Sequence, residues 1–260
     1  MKKILIGIGI GLLVLVIVGV VAVGLFLGNI IKAGMETVGP KITQTTLTVN
    51  SVSVSLLGGS AGVNALVLGN PEGYKTPQAI SVGKAAVSVA PGSILADKVV
   101  IHSVELRNVE ITFEGSPFGA NNLSKIMDNV NALAASGKAD ATAPAQSGAK
   151  KPAKKLEVDD FLISGAKVHA QINTGIVNKE ITLTLPDIHF SDLGKGTDGI
   201  TAADLTKKVL GEITADTIKS LASAVSDLGK GAADAAKNAG KAVGDNVNKI
   251  GAGLGGLFGK

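Results

Sequence analysis

Between residues 42 and 190 apolar and polar side chains alternate with a period of two, and this limits the fold more than any other feature of the chain. In TLTVNSVSVSLL (46–57), Val52, Val54 and Leu56 fall on one side, and Ser51, Ser53 and Ser55 on the other. Successive strand residues point to opposite faces, so such a segment is a strand with one oily and one wet side. The pattern returns at Ile80 and Val82, Val87 and Val89, Val99 and Ile101, Val104 and Leu106, and Val109, Ile111 and Phe113. It continues at Phe161 and Ile163, Val168, Ala170 and Ile172, Ile181, Leu183 and Leu185, and Ile188 and Phe190. Many such runs, parted by Gly, Pro, Asn and Asp, predict a mainly β chain with a curved antiparallel sheet or groove.

Met1-Lys2-Lys3 is followed by Ile4 to Ile31 without a single charge. A helix needs about 20 residues to cross the hydrocarbon core, and a signal peptide's apolar region is only about 7–15. Residues 1–32 are therefore expected to be a transmembrane anchor rather than a cleaved leader. The leading lysines put the N-terminus in the cytoplasm. The expected location is a bacterial inner membrane, crossed once by residues 4–31, with the rest in the periplasm. Gly7 and Gly11, and Gly24 and Gly28, are small-xxx-small pairs that permit close helix contact, although glycine is common in such helices anyway.

The remainder divides into a β region with a helix (33–135), a flexible linker (136–155), a second β segment with a helix (156–228) and a Gly/Ala/Lys-rich tail (229–260). Asn121–Ala135 places Leu123, Ile126, Met127, Val130 and Leu133 on one helical stripe. Thr201–Leu228 does the same with Leu205, Val209, Ile213, Leu221, Val225 and Leu228. Both read as packing helices. The linker is too poor in apolar residues to order itself. Its lysines 150, 151, 154 and 155 are a solvated tether or a contact for anionic headgroups. The tail carries a shallow stripe from Ala232 to Ile250, weakened by glycine, that could become helical on a surface or partner.

Little points to covalent chemistry. Cysteine and tryptophan are absent, and there is one tyrosine. A net charge of +4 without aromatic platforms excludes an ordinary nucleic-acid binder. Gly58-Gly59-Ser60-Ala61-Gly62 has the spacing of a nucleophile elbow, but a strand follows where a helix is required. The glycines from 251 to 256 mimic a dinucleotide loop with no βαβ unit behind it. His102, His169 and His189 are scattered, and Asp159 and Asp160, being adjacent on a strand, are expected to face opposite ways. Asn70-Pro71-Glu72-Gly73 fits a type I turn rather than a phosphate loop, because no helix follows it. No enzyme activity, cofactor or metal is expected.

The stretch LVLGNPEGYKTPQAISVGKAAVSVAPGSILADKVVIHSVELRNVEITFE, followed by NNLSKI, resembles the AsmA family of envelope proteins. The matching features are Asn70-Pro71-Glu72-Gly73-Tyr74, Ser81-Val82-Gly83, Ser93-Ile94-Leu95, the Val-x-Ile strands, Asn122-Leu123, and GITAADLTKKVL (199–210). The resemblance covers roughly residues 1–215 and is that of a short member. It implies a β groove with an apolar interior and a part in lipid transport or envelope maintenance. On this reading the partners are membrane lipids and other envelope proteins. The side chains expected to line the groove are Val52, Val54, Leu56, Val87, Val89, Val104, Leu106, Ile111 and Phe113. The competing expectation is a non-catalytic scaffold that recruits partners through its membrane helix and tail.

Overall fold

The computed structural model describes residues 23–24, 26–94, 96–135, 154–173 and 178–255. Eight strands form one open sheet: β1 (Leu47–Ser55), β2 (Ser60–Gly69), β3 (Gln78–Val89), β4 (Lys98–Phe113), β5 (Lys155–Ile163), β6 (Lys167–Asn173), β7 (Asn178–Thr184) and β8 (Ile188–Leu193). β1 to β4 form an antiparallel meander. β4 then runs parallel to both β5 and β6, which pair antiparallel with β8 and β7, so the sheet is mixed and not the antiparallel one expected. Three helices accompany the sheet: α1 (residues 26–43), α2 (Asn122–Ala135) and α3 (Ala202–Gly255).

The three apolar groups of residues 99–113 lie on one continuous strand, β4, not on separate strands parted by turns. The oily face is kept by stepping three residues instead of two at fixed places. On β4 it carries Val104 and Leu106, then Val109, Ile111 and Phe113, and Asn108 between them takes a φ of 53°. Neighbouring strands skip at the same level. Ala65 on β2 has φ 48°, and the ladders omit Asn50, Ala65, Gly83 and Asn108 in turn. A left-handed residue in a strand breaks the alternation locally, as a bulge does, and preserves the sidedness beyond it. A second row passes through His102, Asp159 and Asp192, the last with φ 57°.

That second row corrects the expectation for Asp159 and Asp160. Val158 and Phe161 are the buried neighbours, so both aspartates stand off the oily face. Asp159 meets His102 at 3.0 Å and Asp160 meets His189 at 2.5 Å, in two half-exposed pairs.

The predicted transmembrane segment is also revised at its C-terminal end. Residues 1–22 lie outside the described residues. Among the described residues no helix is long and apolar enough to cross a membrane. Helix α1 passes through residue 31 without a break and packs along the outer edge of β1. A Cβ on Gly28 would sit 2.3 Å from the Val52 carbonyl oxygen, and one on Gly24 2.8 Å from that of Val54. Lys32 Nζ donates to the Asn50 carbonyl (3.1 Å), and Glu36 Oε1 accepts from the Val49 N–H (2.9 Å). Four helical residues rise about 6 Å and two strand residues about 6.6 Å, so each α1 turn meets the next edge-facing group of β1. The Gly24/Gly28 pair thus seats a helix on a strand edge, which would otherwise be open to pairing. Ile42, expected to begin the strand pattern, is instead a buried helical residue.

Asn121 caps α2, its Oδ1 accepting from the Ser124 N–H (2.8 Å), and Thr201 caps α3, its Oγ1 accepting from the Asp204 N–H (3.0 Å). α2 buries Leu123, Ile126 and Val130, and α3 buries Ile213 and Leu221, all in one core with the sheet. The sequence reading ended α3 at Leu228; its backbone continues to Gly255. The tail's apolar stripe lies outside the described side chains.

Candidate functional site

The oily face is built of rungs that cross the strands. One rung contains Val54, Ala61, Val87, Val104, Phe161 and Phe190. The next contains Val52, Val63, Ala85, Leu106, Ile163 and Ile188. Beyond the Asn50–Asn108 row come Val49, Leu66, Val82 and Val109, and then Leu47, Leu68, Ile80, Ile111 and Val168. Register therefore places eight of the nine expected groove residues on one side of the sheet. Leu56 is the exception: it follows the end of β1, in the turn to β2.

The rungs differ in cover. Ile111 and Phe113 are fully enclosed in the core shared with α2 and α3, so neither is available to a ligand. Val52, Val104 and Leu106 are half-buried against that core. Val54, Val87 and Val89 are half-buried at the rim nearest the β1–β2 turn. The face is thus sealed at one end and partly uncovered at the other.

The sealed end is locked by a polar corner. Lys75 and Thr76 backbone N–H groups donate to the Glu114 carboxylate at 2.7–2.9 Å, and the Thr76 hydroxyl lies 2.9 Å from it. Asn122 Nδ2 donates to Asn70 Oδ1 and to the Thr112 carbonyl, both at 2.7 Å. Burial pushes the Glu114 carboxyl up, but the donors at Thr76 and Lys75 outweigh it and hold it below its ordinary value. The turn is shifted by one residue from the expected one. Its bond runs from the Tyr74 N–H to the Pro71 carbonyl, and Gly73 takes the positive φ (96°) that a type II turn needs at its third residue. Asn70 and Asn122, far apart in sequence, are therefore parts of one joint, and neither lines the oily face. Sequence reasoning missed Glu114, which has no motif of its own.

A family model, that of the AsmA family, matches residues 1–208. The chain belongs to the AsmA family. No curated protein matches it. Membership points to an envelope- and lipid-related role for this AsmA-family chain. The joint made by Asn70 and Asn122 and the Val-x-Ile strands of β4 all fall inside the matched span.

The polar alternatives stay apart. Ser60 opens β2 opposite Ser55 and Ser88, with no histidine hydrogen-bonded to it among the described residues. His169 lies 3.3 Å from the Thr182 hydroxyl. No group of three or more possible metal ligands occurs among the described residues. Asp187, His189, Phe190, Glu212 and Asp216 line a cleft between β8 and α3, which the sequence did not single out.

Proposed function

We propose that this chain is a membrane-anchored envelope protein of the periplasm that takes lipid acyl chains onto the uncovered end of its oily sheet face. The observation that carries the reading is the asymmetry of cover. On β1 and β4 Val52, Val54, Val104 and Leu106 are only half-buried, although Val63, Ala85, Phe161 and Ile163 in the same rungs are buried, whereas in the rungs of Val109 and Ile111 only Leu47 and Leu66 are half-buried. From Val99 to Leu106 the β4 backbone rises about 23 Å. A single leaflet's acyl layer, half of a hydrocarbon core of about 30 Å, is shorter than that. Attraction needs no reaction, since each Å² of acyl surface removed from water contributes about 25 cal/mol. Because the face is sealed at its far end, the reading is local lipid handling and not passage along the whole sheet.

Native mass spectrometry of the full chain, extracted in mild detergent, tests this. The expected result is co-purified phospholipid that is lost in Val54→Glu and Val87→Glu while the melting temperature stays within a few degrees of wild type. Lipid retained in both variants, or absent from the wild type, overturns the reading.

A second reading, the non-catalytic scaffold, has its own observation. The buried side chains described on α3 end at Leu221, yet its helix runs on to Gly255. At about 1.5 Å per residue, Leu221 to Gly255 is roughly 50 Å of helix. Crosslinkers placed along residues 232–255 would favour the scaffold if their adducts are protein, and the lipid reading if they are lipid.

A further inference from the structure

The exposed apolar side chains are not scattered evenly. Leu57, in the β1–β2 turn, is 87% exposed, and Ile94, in the loop after β3, is 40% exposed. These two loops touch. The Val89 N–H donates to the Gly59 carbonyl (2.7 Å), and a Cβ on Gly59 would come within 3.0 Å of the Pro91 ring. Helix α1 reaches the same end. Its residues run antiparallel to β1, with Glu36 at Val49 and Gly24 at Val54, so the chain enters the described helix beside this turn. There Val23 and, at the start of α1, Phe26 (66%) are exposed. The residues that precede it in sequence, Ile4 to Ala22, are apolar and uncharged. Lys154 completes the cluster, its ammonium donating to the Ile94 carbonyl.

We infer that this end of the sheet is a docking ledge that inserts Leu57 and Ile94 into a bilayer interface, beside the apolar run that precedes α1. Exposed leucine and isoleucine at loop tips leave water when they enter the acyl boundary, and a lysine at the same level sits among headgroup phosphates. A mobile tether would let the domain tumble away from the membrane. A ledge would instead hold the half-buried rungs of Val54, Val87 and Val89 at the lipid surface. The inference shares the anchoring run with the proposed function and needs no lipid bound on the oily face.

The chain has no cysteine, so single cysteines report one place each. Leu57→Cys, Ile94→Cys and Gly92→Cys are labelled with an environment-sensitive nitrobenzoxadiazole dye. Gly92 is a mild site, because a Cβ there meets nothing within 4 Å. Phe118→Cys is the comparison, on the loop after β4 at the opposite end of the sheet and 70% exposed in the unaltered chain. The full chain is reconstituted into phosphatidylethanolamine/phosphatidylglycerol vesicles, and labelled samples with wild-type circular dichroism are compared. The expected result is blue-shifted emission at 57, 92 and 94 that lipid-borne spin labels quench, with emission at 118 quenched only from water. If the three ledge positions behave like 118, the ledge does not exist. Lipid mass spectrometry on the same vesicle-free protein keeps the two ideas apart. Bound lipid with watery ledge labels ends the ledge alone, and buried ledge labels without bound lipid support the ledge and end the lipid reading.

Discussion

The two halves of the oily face have similar sequences and different fates. Towards the β1–β2 turn lie Val54, Ala61, Val87 and Val104, half-buried; beyond Asn108 lie Val49, Val82, Val109 and Ile111, all sealed in the core. Valine dominates on both sides, so side-chain chemistry does not separate them. The difference lies in packing: Leu123, Ile126 and Val130 of α2, which is capped by Asn121 and tied through Asn122 to the Asn70 corner, share one buried core with Val82, Val109 and Ile111. A strand pattern alone cannot tell a core from a groove, and the helices decide.

The largest expected effect tests that contrast directly. Ile111→Ala, at a site with no exposure, should cost about 2–5 kcal/mol because a cavity is left in a packed core. Val87→Ala, on the uncovered half, should cost about 1 kcal/mol or less. Equal losses in denaturant melts would erase the distinction between the halves.

Next in size is the edge of the uncovered half. Gly28→Leu would drive a side chain into the Val52 carbonyl and lift α1 from β1, for a loss of about 1–3 kcal/mol. Hydrogen exchange should then rise at the Val49 N–H, which donates to Glu36, while β3 and β4 stay protected. Unchanged exchange in β1 would mean that α1 does not guard this edge.

At the sealed end, Glu114→Gln should cost about 1–2 kcal/mol, through weaker acceptance from Lys75 and Thr76. The carboxyl's folded value lies below its unfolded one. Its contribution is therefore complete above an unfolded value of about 4.3 and fades as pH falls through the lower, folded value. Acid titration followed by the emission of Tyr74, the only tyrosine, reads the corner itself. The variant should lose the part of the acid transition that belongs to Glu114. An identical transition in both proteins would remove Glu114 from the joint.

The existence of the strands was legible because the period of two survives at nearly every position. Their number was not. A three-residue step, as from Leu106 to Val109, looks like a strand end, and only φ values at Ala65, Asn108 and Asp192 show that the strand continues. Asn and Asp tolerate that conformation, so two of the three left a trace; alanine leaves none. Helix α1 was hidden for another reason. Its glycines and apolar residues satisfy a membrane helix and a strand-edge helix equally well, and Lys32 and Glu36 disclose the edge only once β1 is in place. Of the expected groove residues, side was readable from parity. Cover was not, since it depends on where α2 and α3 land.

The smallest effect is the sharpest test of the uncovered half. Valine and threonine have nearly the same shape, so Val→Thr changes the polarity of a site without opening a cavity. At Val109, which is 1% exposed, the added hydroxyl must find a partner within a sealed core, and about 1–3 kcal/mol should be lost. At Val54 the side chain is half-buried at the rim, water can satisfy the hydroxyl, and the change in stability should stay within about 0.5 kcal/mol. Lipid loading should respond in the opposite order. Val54→Thr puts a hydroxyl where acyl carbon is expected to lie, and Val109→Thr sits where no acyl chain reaches. A Val54→Thr chain that keeps both its stability and its full lipid load would place the lipid elsewhere. One that keeps stability and loses lipid would separate, at a single hydroxyl, the part of this face that folds the protein from the part that serves it.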